Sequence, residues 1–293
     1  MLALFGPTAV GKTAVAVALA QRLRARGEHP VAVSADALQV YRGLELLTGV
    51  ASPAEQALLE HRLIAFVTLR ERFSVAEYQP LAHAEIDGLL AAGRTPIVVG
   101  GTGLYLRAAV AGLELRPPPQ PGVRERLEAE ADVRGLATLH ARLIEAAPWA
   151  AQRIAQTDRS RVVRALELHE QGALRPPPAQ SELWTARTRH PTRLVGLTME
   201  HEALRTRIDE RVDAILAAGA EQEVRAAAAA RASPTARAAV GFRELLDGDH
   251  DAMRRNTRRY ARRQMTWLRK LAGAHLVDTT GCGPEDVAEQ ILP

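Results

Sequence analysis

The chain has 293 residues, of which 47% are hydrophobic and 25% charged, enough for one large domain or a domain carrying an insertion. This composition excludes a disordered or collagen-like chain, and a single cysteine, Cys282, excludes an internal disulfide or a cysteine-held zinc or iron–sulfur site. No run approaches the ~20 apolar residues of a membrane span, and a loop motif starts at Gly6 where a signal peptide's apolar region would lie, so a cytoplasmic location with no membrane partner is expected.

Residues 1–5 (MLALF) read as a short apolar strand and 14–26 as a helix packed on a sheet. Strand-like runs follow at Val31–Ser34 and Leu63–Thr68, then a helical pattern over Val75–Ala92 and another strand at Ile97–Val99. The pattern changes near residue 113. The proline runs Pro117–Pro119 and Pro176–Pro178 bracket a stretch with helical periodicity, so 113–190 is predicted to be a helical insertion. A strand at Leu194–Thr198 precedes helices over Glu202–Ala218, Glu221–Arg231 and Asp251–Ala272. Strand–helix alternation of this kind predicts an α/β fold: a parallel sheet flanked by helices, with a core of 1–112 and 191–293.

The strongest chemical signal is Gly6-Pro-Thr8-Ala9-Val10-Gly11-Lys12-Thr13. It matches G-x-x-x-x-G-K-[ST] after a strand and before a helix, which makes the fold P-loop NTPase-like. Backbone N–H groups of such a loop wrap a diphosphate and the helix N-terminus adds its dipole. Lys12 supplies a positive charge, and the Thr13 hydroxyl suits a Mg²⁺ ion riding on the phosphates. An NTPase of this type usually carries an acid at the end of a second apolar strand. Here Pro96-Ile-Val-Val99 runs instead into Gly100-Gly101-Thr102-Gly103, which argues against ordinary ATP hydrolysis. The first acid at a strand end is Asp36. It follows Val31–Ser34 and should face the same crevice, because ligands in parallel sheets bind beyond the carboxyl ends of the strands.

These residues have a pattern in common with a known family. The segments GPTAVGKT (6–13), SADALQVYRG (34–43), FSVAEY (73–78), PIVVGGTGLYL (96–106), DRSRVVRALEL (158–168), RTRIDERVDAIL (205–216), AVGFRELL (239–246) and TRRYARRQMTWLRK (257–270) run in order along nearly the whole chain. The chain resembles the tRNA dimethylallyltransferases, which move a dimethylallyl group from dimethylallyl diphosphate onto tRNA. The resemblance implies that the 6–13 loop holds the donor's diphosphate. Asp36 would be the general base for the N6 amine of the adenosine next to the anticodon, at position 37 of tRNAs reading codons that start with U. Thr102 and Arg207 would hydrogen-bond the bridging and leaving oxygens, although Arg211 lies one helical turn from Arg207 on the same face and fits that second place equally. The same resemblance assigns tRNA contacts to Asp36, Ala37, Leu38 and Gln39, to Ser160, Arg161 and Arg164, and to Gly241, Phe242 and Arg243. The insertion would close on the anticodon stem-loop, and the enzyme is expected to act as a monomer.

Charge supports an RNA partner. The chain has 38 basic and 34 acidic residues, for a net +4, and only Lys12 and Lys270 are lysines; GC-rich coding accounts for that bias. Between Arg254 and Lys270, however, there are eight basic residues and no acid. Arg254, Arg258 and Arg262 form one row and Arg255, Arg259 and Arg263 the next, so Arg258 and Arg262 are expected to meet tRNA phosphate. Met253, Tyr260 and Trp267 are expected to form the apolar seam of that helix. Trp149 and Trp184 read as packing residues, and the nine histidines lack zinc-ligand spacing.

The chain also departs from the family pattern. Ala37 stands where a serine is usual, Leu47–Pro53 lacks the usual lysine, and His61–Ala65 lacks a second histidine and an aspartate. The alternative reading, from a different class, is a P-loop ATP-dependent small-molecule or nucleoside kinase, which shares the loop and the sheet.

Overall fold

The computed structural model describes residues 1–118, 120–176 and 182–293; Pro119, Pro177 and Pro178 of the two proline runs lie outside them. In chain order the core begins with β1 (Leu2–Phe5), α1 (Lys12–Ala25), β2 (Pro30–Ser34), α2 (Glu45–Thr48), α3 (Pro53–Leu58), β3 (His61–Arg62), α4 (Val75–Ala91), β4 (Thr95–Gly100) and α5 (Gly103–Val110). The insertion follows with α6 (Val123–Arg134), α7 (Leu136–Ala146), α8 (Pro148–Ala151) and α9 (Arg159–Glu170). The chain then adds β5 (Arg193–Thr198), α10 (His201–Ala217), α11 (Ala220–Ala229), α12 (Phe242–Leu246), α13 (His250–Leu268), β6 (His275–Asp278) and α14 (Pro284–Ile291) to the core. Two compact units result, Met1–Leu113 with Glu182–Pro293, and Glu114–Ser181.

The first unit is built on a six-stranded sheet in the order β3-β2-β4-β1-β5-β6, parallel at every pairing. Every residue of β1 and β2 is buried, as central parallel strands covered on both faces require. α1 is buried along Val15–Ala20 and Leu23, because it lies between the sheet and α14. The strand order puts the carboxyl ends of β2, β4 and β1 side by side. The first acid, the glycine turn and the loop motif therefore meet at one edge of the sheet.

One strand expectation fails and one strand goes unexpected. The run Leu63–Thr68 contributes no ladder; the strand before it is only His61–Arg62, and Val67 makes a single bridge to Tyr41. Leu63 and Ala65 adopt φ of +58° and +47°, a left-handed backbone that no strand continues through. β6, an edge strand with one buried residue, carries no alternation in its sequence by which to find it.

The second unit has its own small core, in which Leu127, Leu139, Leu143, Val162 and Leu166 of α6, α7 and α9 meet. Among its described residues Glu167 is the deeply buried charge, with no solvent exposure of its side chain. Arg124 grips it with two hydrogen bonds of 2.5 and 2.8 Å and Arg164 adds a third at 3.2 Å.

Candidate active site

The turn from β1 into α1 is a cradle built mainly from backbone. Ala9 has φ +65° and Gly11 φ +96°, so two left-handed residues separated by one aim successive amides to the same side. Alanine is rarely held there, and the strain of about 1 kcal/mol or more is the kind that functional loops keep. α1 starts at Lys12, so the first N–H groups of the helix have no partner one turn earlier and open on the same space. Lys12 is half-buried and bends back, its Nζ donating to Gly6 O at 3.0 Å and Pro7 O at 2.8 Å. Burial lowers its pKa to about 8, against the raising effect of Asp36 and with help from Arg211. The loop thus presents a desolvated cation and a ring of amides, with the Val10 side chain turned into the core.

The neighbouring strand ends supply the polar side chains. Asp36 follows β2, and its Oδ1 accepts the Leu38 N–H at 3.0 Å, which fixes the turn. Thr102 stands at the start of α5 and its Oγ1 accepts the Ala37 N–H at 3.3 Å, tying the β4 turn to the β2 turn. The glycines before it are there for space. A Cβ at Gly100 would run into the Ala35 backbone, and one at Gly101 would collide with Gln264 Nε2 and lie 3.4 Å from Lys12 Nζ. The turn is therefore a point of close approach between three segments.

α10 and α13 close the other side. Arg207 and Arg211 line the same cavity of about 500 Å³ as the loop, Asp36, Gln39, Gly100 and Gly101. The Arg207 guanidinium lies over Gly11, and that of Arg211 fills the space a side chain at Gly49 would take. Neither forms an ion pair among the described residues. Burial lowers the Arg211 pKa, with Asp36 and Glu55 opposing. Leu47, Val240 and Met253 also line the cavity, so its wall combines charged and apolar side chains. Tyr260 also lines it, its hydroxyl within reach of Thr102 and Gln264 and its pKa raised by burial and by Asp36. The wall at 39–50 is held from outside. Gln39 Nε2 donates to Gly49 O at 2.8 Å, and the Glu223 carboxylate accepts the Leu46 and Leu47 N–H groups at 2.8 and 2.9 Å.

The family is fixed by comparison with known proteins. The family model described as IPP transferase matches residues 39–271, and that described as isopentenyl transferase matches residues 1–72. The chain belongs to the tRNA dimethylallyltransferase family. It is 42% identical to the tRNA dimethylallyltransferase of Symbiobacterium thermophilum over 293 residues, which span 96% of this chain and 90% of that one. With the corresponding protein of Anaeromyxobacter dehalogenans it shares 46% over 283 residues, covering 92% and 91%. Among solved structures it is similar to the tRNA isopentenylpyrophosphate transferase of Bacillus halodurans, with a TM-score of 0.71 and 34% identity over 99% of this chain and 93% of that one. The activity is tRNA dimethylallyl transfer, and the kinase reading of the loop is set aside.

The structure sorts the residues carried over from the family into three places. Lys12, Thr13, Asp36, Gln39, Arg207 and Arg211 share the cavity, with Thr102 beside it. Thr8 lines it too, although its N–H is already taken by Gln264 Oε1 at 2.8 Å. Ser160, Arg161 and Arg164 are on α9 of the insertion, where Arg161 pairs with Asp158 at 2.6 Å and Arg164 with Glu167. In the 241–243 segment the Phe242 ring is buried in a core cluster with Leu47 and Met253, and Arg243 alone offers an exposed side chain.

The basic helix differs most from its sequence pattern. Its buried face is Met253, Thr257, Ala261, Gln264 and Leu268, not Met253, Tyr260 and Trp267. Tyr260 faces the cavity, while Trp267 stacks on Trp184 with centroids 4.7 Å apart. Arg258 is held by Asp209, with Nε to Oδ1 at 3.1 Å, and Arg254 by Asp213 and Asp251. Arg259 and Arg262 form no ion pair among the described residues.

Two of the departures from the family pattern take local roles in the fold. Ser52, where the lysine is missing, is the N-cap of α3, exchanging hydrogen bonds with Glu55. Ala65 passes its N–H to Gln39 O at 2.8 Å through its left-handed turn.

Proposed function

We propose that the chain transfers the dimethylallyl group of dimethylallyl diphosphate to N6 of the adenosine at position 37, 3′ of the anticodon, in tRNAs reading codons that start with U. It acts as a cytoplasmic monomer and releases diphosphate. The observation that carries this reading is the convergence of Lys12, Asp36, Arg207 and Arg211 on one cavity that Leu47, Val240 and Met253 also line.

An adenine N6 amine is a weak nucleophile, so the allylic carbon must be made electrophilic by stabilising its leaving group. The loop amides, Lys12 and the two arginines take the diphosphate, and Thr102 hydrogen-bonds its bridging oxygen. The C–O bond breaks with its electron pair passing to the diphosphate, N6 forms the new bond to carbon, and Asp36 accepts the N6 proton. The described residues hold no group of three or more His, Cys, Asp or Glu able to bind a metal. The Thr13 hydroxyl and the donor's own oxygens are the hard ligands that suit Mg²⁺, which neutralises phosphate charge when bound. The adenosine must leave its stack to reach Asp36; Arg243 and the α13 arginines that form no ion pair among the described residues are available to RNA phosphate, and α9 of the insertion is a further RNA contact.

Incubation with Mg²⁺, labelled dimethylallyl diphosphate and unmodified tRNA tests this reading. Label is expected at the adenosine 3′ of the anticodon and is lost when that base is replaced by guanosine. Label that survives the replacement contradicts the assignment.

A further inference from the structure

The side chain of Gln264 occupies a place that the reaction as described leaves unexplained. It is 4% exposed and belongs to α13, 163 residues from the glycine turn and 256 from the loop. Its two ends bind different walls of the donor cavity. Oε1 accepts the Thr8 N–H of the loop at 2.8 Å, and Nε2 donates to Gly101 O of the β4 turn at 2.8 Å. A buried amide with both of its ends matched is a geometric clamp, because each end is held by a backbone group of a different segment.

We infer that Gln264 is a positioning residue for the donor diphosphate: it fixes the spacing between the loop that bears Lys12 and Thr13 and the turn that bears Thr102. This inference rests on the proposed function only for the identity of the donor. Three observations converge on it. Gly101 has no side chain at the point where Gln264 Nε2 sits. A Cβ at Gly101 would lie 2.4 Å from Gln264 Nε2, 3.4 Å from Lys12 Nζ and 3.5 Å from Gly6 O, so the glycine leaves room for the amide and the lysine on the same side of the turn. One turn on, Trp267 packs on Gly103, where a Cβ would lie 2.6 Å from its Cδ2, which seats α13 against the same turn. Preorganised donors of this kind act through their spacing, so displacing one wall weakens every contact the diphosphate makes across the gap.

The test uses inorganic diphosphate as the probe and isothermal titration on the full chain. Gln264→Leu keeps the bulk but leaves the Thr8 N–H and Gly101 O unpaired, and its diphosphate Kd is expected to rise roughly ten-fold or more. Gln264→Glu separates spacing from packing. As a carboxylate it can accept from Thr8 but repels Gly101 O, whereas once protonated its O–H donates to Gly101 O and its C=O accepts from Thr8. Its diphosphate Kd, taken relative to wild type, is therefore expected to recover as pH falls. A wild-type Kd in folded Gln264→Leu, or a Gln264→Glu deficit that acidification does not reverse, overturns the inference. If Gln264→Leu fails to fold, the Gln264→Glu pH series decides alone. Failure of wild type to label tRNA would count against the proposed function and leave this binding result intact.

Discussion

The loop cradle and the basic helix are both built from recognisable sequence patterns within one unit, yet they hold their charges in opposite ways. In the cradle, Lys12, Arg207 and Arg211 face a cavity and have no carboxylate in ion-pair contact among the described residues, and Lys12 is desolvated enough to titrate near 8. On α13, Arg254 and Arg258 are already neutralised by Asp213 and Asp209 from α10. The difference shows that a charge is available to a ligand according to its partners, not its place in a periodic stripe. A cation left without an ion pair in a cavity is available to an anion; one paired on the surface is committed to the fold.

The sharpest way to break this comparison is at the base. Asp36→Ala is expected to reduce transfer by about 10²–10⁴ with tRNA affinity nearly unchanged, measured by label incorporation and filter binding. Unimpaired transfer removes Asp36 from the role. Next in size is the paired charge in the insertion. Arg124→Met leaves the buried Glu167 with a weakened partner set and should destabilise the unit by ~3–5 kcal/mol, read from hydrogen exchange of α6 and α9 in the full chain.

The cradle's desolvation makes a pH prediction. Between about 8 and the ordinary lysine value of 10.5 the unfolded chain keeps a proton on Lys12 that the folded protein has lost. The contribution of this group to stability therefore rises with pH across that window. Diphosphate affinity moves the other way, because the ligand needs the charged form. The Kd of wild type relative to Lys12→Arg should worsen as pH rises past 8, and a ratio that stays flat contradicts the assignment. The smallest effects concern α13. Arg259→Ala and Arg262→Ala should each reduce the salt slope of RNA binding by about 0.7–0.9, and Arg254→Ala and Arg258→Ala by less. Equal slopes for all four would mean that the ion pairs with α10 open when RNA binds.

The parts that were legible in the sequence are those whose chemistry is local. The loop at 6–13, Asp36 at a strand end and the Gly100–Thr102 turn each declare themselves within a few residues, and strand order alone brings them together. The misread run Leu63–Thr68 was apolar enough for a strand, but its left-handed residues at Leu63 and Ala65 leave no mark in composition. Gln264 could have been found: it falls on the helical stripe with Met253, Thr257, Ala261 and Leu268, and a glutamine on a buried stripe demands partners. Which partners it finds depends on loops more than 160 residues away, and no local pattern carries that. The ion pairs between α10 and α13 were hidden for the same reason, since Asp209 and Asp213 are remote in sequence from the arginines they neutralise.

The central claim is that the loop serves the diphosphate of a prenyl donor. It is tested most directly by the stoichiometry of the products. Wild-type protein with Mg²⁺, dimethylallyl diphosphate, unmodified tRNA and added ATP should release one diphosphate for each dimethylallyl group attached, with no orthophosphate formed. Orthophosphate accumulating from ATP in the absence of RNA would contradict the account.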